Sequence, residues 1–136
     1  ASKDASDLSL AIEASARALF KDSTFIYRLS NDSLQDYNPS KENLTRVFED
    51  IGKKAKANDV LFVFFAGHGL ASDNGEDLHI LPHNGDPILL EDTALSRIEM
   101  FDLINKVNPK SVTMFFDTCY SGQTRSEQML IAGCCE

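Results

Sequence analysis

Cysteine is scarce in this chain: three in 136 residues, an odd number, with Cys134 and Cys135 adjacent. That count excludes a disulfide framework and favours a reducing compartment, so a cytoplasmic location is expected. Long apolar runs are also missing. The longest, Val60 to Gly67, has the length of a strand and excludes a transmembrane helix within the sequence. No signal peptide is visible from Ala1 onward. Positive charge is in short supply, with 13 Lys+Arg against 21 Asp+Glu and a net charge of −8. No unaided binding to nucleic acid or to an anionic membrane is expected from that balance, which suits basic partners. There are no internal repeats, no low-complexity tract and no dividing linker. The length fits one domain, residues 1–136, and 43% hydrophobic with 25% charged residues is ordinary globular composition.

What is present alternates between two periodicities. Leu8, Ala11, Ile12, Ala16, Leu19 and Phe20 recur at helical spacing, with Asp7 as the expected N-cap. Thr24–Leu29 is β-branched and aromatic and predicts a short strand. Ser40 suits the cap of a second helix carrying Leu44, Val47, Phe48, Ile51 and Ala55, with lysines in its last turn. Val60–Phe65 is apolar without alternation, which predicts a strand buried on both faces. Leu78–Pro82 reads as a hairpin arm within an acidic, loop-rich stretch. Ser96 and Glu99 form a capping box for a third helix with Phe101, Ile104 and Val107 on its inner side. A second apolar strand, Val112–Phe116, follows Asn108-Pro109-Lys110, and Thr124–Ala132 suits a further helix. Alternating helices and apolar strands predict an α/β fold with a parallel sheet covered on both faces, and ligands then bind beyond the C-terminal strand ends.

Both chemically distinctive motifs fall at those ends. Gly67-His68-Gly69 follows one strand and Asp117-Thr118-Cys119-Tyr120-Ser121-Gly122 the other. A lone histidine there is ordinarily a loop residue, and a lone cysteine a small buried hydrophobe. Together, on strands that one crossover makes neighbours, they suggest a pair in which imidazole takes the thiol proton and activates the nucleophile. Glycines around His68 allow a sharp turn and close substrate approach. The amides of Gly69 and Cys119 are expected to face a developing oxyanion, as acyl transfer requires.

The segments FFAGHG and FFDTCYSG resemble the two catalytic signatures of the caspase-like cysteine peptidases, in the metacaspase and bacterial orthocaspase branch. Animal caspases place Gln two residues before the cysteine and Arg after it, where this chain has Asp117 and Tyr120. The resemblance extends from the Leu8 helix to about Ala132. It implies a caspase-like, mostly parallel sheet flanked by helices, and a peptidase with His68 as general base and acid and Cys119 as nucleophile. It also implies that Asp117 lines the pocket for a basic residue before the scissile bond, since a guanidinium fits a carboxylate in a bidentate manner. The other reading of Asp117 is a cap for the following turn. In Leu8-Ser-Leu-Ala-Ile-Glu13, Glu13 takes the place of a second pocket aspartate, and it suits a solvated helix face as well. Tyr120 and Ser121 border the expected groove or form its turn.

Several departures bear on partners and cofactors. Many metacaspases bind calcium through aspartates near the helix that begins here at Ser96. This chain has Arg97-Ile98 and Asn84 instead, so calcium activation is not expected. The acidic residues from Asp73 to Asp92 lack EF-hand spacing. His79, His83, Asp77 and Asp86 have no spacing that fixes a zinc site, and no metal or cofactor is expected. The family normally has an apolar strand before the first helix, where Ala1–Ser6 stands here, and a small-subunit half after the cysteine's helix. The sheet is therefore expected to be incomplete, with a companion small-subunit segment as partner beside a peptide or protein substrate. Two other readings remain: a non-catalytic caspase-like interaction module, inactive without those segments, and a different acyl-transfer enzyme such as a transpeptidase.

Overall fold

The computed structural model describes residues 2–31, 38–72 and 77–120. Helix α1 (Ser2–Phe20) leads through a short 3-10 turn to α2 (Lys41–Lys54) and strand β1 (Val60–Ala71). Strand β2 (Leu78–Leu81), helix α3 (Leu90–Thr93), strand β3 (Leu95–Ser96), helix α4 (Arg97–Val107) and strand β4 (Ser111–Tyr120) follow. The sheet order is β3-β2-β1-β4. As expected, β1 and β4 are parallel neighbours joined through a helix, in register from Val60 opposite Ser111 to Gly69 opposite Tyr120. Just ahead of that ladder, the Lys110 amide donates to the Asp59 carbonyl at 2.8 Å and aligns the strand starts. β2 is the expected hairpin arm, antiparallel to β1, and β3 adds a further antiparallel pair. The sheet is thus mixed: the short hairpin connection forces antiparallel pairing, whereas the helical crossover permits the parallel one.

Local chemistry sets most boundaries. Ser40 Oγ accepts the Asn43 amide at 3.2 Å and starts α2. At α4 the capping box is complete: the Glu99 amide donates to Ser96 Oγ (3.1 Å) and the Ser96 amide to Glu99 Oε2 (2.9 Å). The helix stops where Asn108 turns left-handed at φ 51°, with its amide directed back to Asn105 and Ile104.

Four expectations need correction. Helix α1 starts at Ser2, so Asp7 lies inside it; residues 2–20 contain neither Gly nor Pro to halt extension toward the N-terminus. Thr24–Leu29 does not form a strand, Leu29 alone making a bridge. Its composition suits a strand, but strand structure needs a ladder partner. The segment is instead tied to α2 through Lys54, whose ammonium donates to Tyr27 Oη at 2.9 Å. In α4 the buried stripe is Met100, Leu103, Ile104 and Val107, with Phe101 only half-buried. Lastly, the apolar strands are not buried on both faces.

The core explains that last point. Phe48, Ile80, Leu95, Met100, Leu103, Ile104 and Val107 form one buried cluster. Against it pack Leu61, Val63 and Phe65 of β1, with Val112, Met114 and Phe116 of β4. These alternate residues form the face covered by α2 and α4. The intervening residues form the other face, where Val60 is 65%, Phe62 41% and Phe115 46% exposed. α1 touches β1 but leaves its own Leu19 and Phe20 largely exposed. The helix expected at Thr124–Ala132 lies outside the described residues.

Candidate active site

Both strands run further than their apolar cores. β1 continues through Gly67-His68-Gly69 to Ala71, and β4 through Asp117 to Tyr120. The expected sharp turn at His68 is absent, and the backbone stays extended. Gly69 is needed for room: a Cβ there would lie 3.1 Å from Leu78 Cδ1 and 3.3 Å from Thr118 Cβ. Arm β2 and strand β4 therefore crowd Gly69 from two directions. Sequence reasoning missed both neighbours, although Leu70 and Ala71 extend the apolar pattern past the glycine and signal a longer strand.

The ladder sets the geometry. His68 pairs with Cys119 at Cα level, Ala66 with Asp117 and Gly69 with Tyr120. Adjacent strands lie about 4.8 Å apart, so positions 68 and 119 are immediate lateral neighbours on one face. This is the face not covered by α2 and α4. His68 and Asp117 are exposed on it, beyond a Phe62–Phe115 ring pair whose centroids are 5.3 Å apart. Gly69 is also paired with Ile80 of β2, which places it inside the sheet.

Glu13 is paired within its own helix, its Oε1 accepting Arg17 Nε at 2.7 Å. Ser121 lies outside the described residues, and Tyr120 is placed by its backbone alone. Arg97 Nε donates to Asp77 Oδ1 at 3.2 Å, and Lys41 Nζ pairs with Glu99 at 2.8 Å. Partial burial acts to raise the Glu99 pKa, but the Lys41 ammonium and the Ser96 amide outweigh it and hold the carboxyl below its ordinary value. Glu42 is lowered too, by its own backbone amide and the Ser40 hydroxyl at the start of α2. Among the described residues, no three His, Cys, Asp or Glu side chains converge as a metal-binding group. Nor is any described helix long and apolar enough to cross a membrane.

Residues 2–126 match the model of the metacaspase peptidase C14 domain. The chain belongs to the metacaspase family. It is 33% identical over 95 residues to Metacaspase-1 of Candida glabrata, covering 62% of this chain and 23% of that protein. Metacaspase-6 of Arabidopsis thaliana is 30% identical over 92 residues, covering 62% of this chain and 23% of the relative. Metacaspase-7 of the same plant is 32% identical over 94 residues, covering 62% and 21%. The chain thus spans less than a quarter of the length of these metacaspases. Its mixed α/β sheet flanked by helices is consistent with a caspase-like fold.

Proposed function

We propose that this metacaspase domain serves a cysteine endopeptidase that cleaves after Arg and, less readily, after Lys. The observation that carries the reading is the in-register pairing of His68 with Cys119 on the uncovered face, within a metacaspase-family chain. In this reading His68 takes the Cys119 thiol proton and the thiolate attacks the scissile carbonyl carbon. The oxyanion is held by the amides of Gly69 and Cys119. Because Gly69 is paired with both Ile80 and Tyr120, its amide serves the oxyanion in this reading where the bound substrate opens the ladder at Gly69 alone, past the His68–Cys119 pair. The imidazolium then protonates the leaving amine, which departs as the C–N bond breaks. Water, deprotonated by His68, releases the acyl group from Cys119 as a carboxylic acid.

Asp117 supplies the carboxylate for the basic side chain, assisted by Glu13 once its Arg17 pairing yields; Tyr120 and Ser121 border the groove. The substrate is a peptide or protein with a basic residue before the scissile bond, met in the cytoplasm. Calcium activation is not part of this reading, because Arg97, Ile98 and Asn84 stand where aspartates would be needed. The working enzyme includes a further strand and the small-subunit half from its companion segment.

The test is cleavage of an Arg-containing reporter by the full-length protein and its Cys119→Ala variant. Retained cleavage by the variant would refute the reading. The exposed apolar face favours one alternative, a scaffold module that binds without cutting. A thiol-reactive Arg-based probe separates the two, because only an assembled site labels Cys119.

A further inference from the structure

His79 stands apart from the chemistry above. It lies in β2 between Leu70 of β1 and Ser96 of β3, and its side chain is only 3% exposed. Among the described residues neither ring nitrogen has a hydrogen-bond partner. Buried polar atoms are nearly always paired, so an imidazole with both nitrogens unpaired calls for a physical reason. Its nearest charged neighbour is Glu91 on α3, with Oε1 3.7 Å from Nε2 and a side chain 88% exposed. That gap is too long for a hydrogen bond and short enough for one to form by a shift of about 1 Å.

Other charged groups around β2 already have partners. From α2, Lys41 pairs with Glu99 of α4, and its ammonium also reaches the Glu91 carbonyl at 3.5 Å. From α4, Arg97 pairs with Asp77 at the start of the hairpin arm. His83 and Asp92 lie at the surface, and the partners of His79 on β1 and β3 carry no charge. Among the described residues, Glu91 is therefore the carboxylate placed to answer a proton on His79.

We propose that His79 and Glu91 form a proton-operated clasp that sets how tightly α3 is held against the sheet. A neutral imidazole offers one donor and one acceptor: its Nδ1–H tautomer turns a lone pair toward the carboxylate, and its Nε2–H tautomer donates without a charge to strengthen the bond. Protonation makes both nitrogens donors, and the Nε2–H then closes on Glu91 Oε1 in a charge-assisted bond whose imidazole end is buried and whose carboxylate end is solvated. The helix so drawn in forms one wall of a half-open groove of about 530 Å³, lined by Ser72 and Pro87–Asp92. That groove sits just past the end of the strand carrying His68, so the proton state of His79 adjusts its width. The clasp stands independently of the peptidase reading.

The experiment is amide hydrogen exchange on the full chain at about pH 5.5 and about pH 8, corrected for intrinsic exchange, with ring ¹⁵N shifts reporting His79 protonation. The amides to follow are Thr93 and Ala94, bonded to the Leu89 and Leu90 carbonyls at 3.0 and 2.9 Å. Protection in the parent is expected to be about threefold or more greater at the acidic pH. In Glu91→Gln, a surface change that leaves the core intact, the difference disappears, while Asp92→Asn behaves as the parent. Equal protection at both pH values in the parent, or a difference that persists in Glu91→Gln, overturns the clasp.

Discussion

The two faces of the β1/β4 sheet are written by alternate residues of the same strands, yet they have opposite fates. Leu61, Val63, Phe65, Val112, Met114 and Phe116 pack onto α2 and α4, whereas Val60, Phe62 and Phe115 remain substantially exposed. The covered face has what stability requires: interlocked side chains around a nearly inaccessible Ile80. On the other face His68 and Asp117 are accessible and position 119 is in register beside them, and this is where the proposed chemistry would act. One face anchors the ladder, and in the proposed reading the other carries the reacting pair. The difference explains why unbroken apolar runs such as Val60–Phe65 do not report how burial is divided between faces.

Substitutions on opposite faces should therefore fail in different ways. The largest effect is expected from Cys119→Ala in the full-length protein: loss of Arg-reporter cleavage by about 10⁴-fold or more, with unchanged thermal unfolding. If unfolding shifted as well, the two faces would not be separable. On the covered side, Ile80→Ala should lower unfolding free energy by about 2–5 kcal/mol in denaturant titration, by loss of buried surface and a residual cavity. Returning to the open side, Asp117→Ala should reduce the preference for Arg over a neutral residue by about tenfold to a hundredfold in kcat/KM, leaving stability nearly constant. An unchanged preference would remove Asp117 from the pocket while leaving the dyad untouched.

Smaller effects sharpen the boundary. Because Glu99 titrates below its ordinary value, its ionised form contributes stability that is complete above the unfolded-state value, 4.5. That contribution is lost as pH falls through the lowered folded-state value. Glu99→Gln should flatten this acid limb and reduce stability near neutrality by about 1 kcal/mol or less, since the bridge to Lys41 is partly solvated. The smallest change is expected from Phe115→Thr. This keeps a strand-forming residue at an exposed site and should alter stability by less than about 1 kcal/mol in the same titration. A cost approaching that of Ile80→Ala would mean that the open face is packed in solution.

Much of this arrangement was legible in the residues. Ser40 and the Ser96/Glu99 box mark helix starts because capping is a local hydrogen-bond pattern, and both caps are present. Leu78–Pro82 was readable as a hairpin arm for the same local reason. Thr24–Leu29 was misread because a strand depends on a neighbour that composition does not report. The reach of β1 past His68 was missed because glycine usually interrupts a strand, and the need for a small residue beside Leu78 and Thr118 arises only in three dimensions. At the site, the pairing of His68 with Cys119 followed from motif position and topology. The pairing of Glu13 with Arg17 one helical turn away, which depends on side-chain rotamers, did not.

The uninterrupted ladder through both motifs has a consequence for how the reactive pair can move. Were His68 and Cys119 on independent loops, their separation could drift continuously with temperature or mutation. Set in paired strands, it is quantised: a slip of one residue would place Thr118 opposite His68 and reverse which face each side chain occupies. A slip of two would restore the face and put Asp117 there instead. Intermediate spacings require breaking the ladder, so the pairing is either present in full or absent, and damage to it should appear as a fall in the fraction of competent molecules rather than as a graded loss in each.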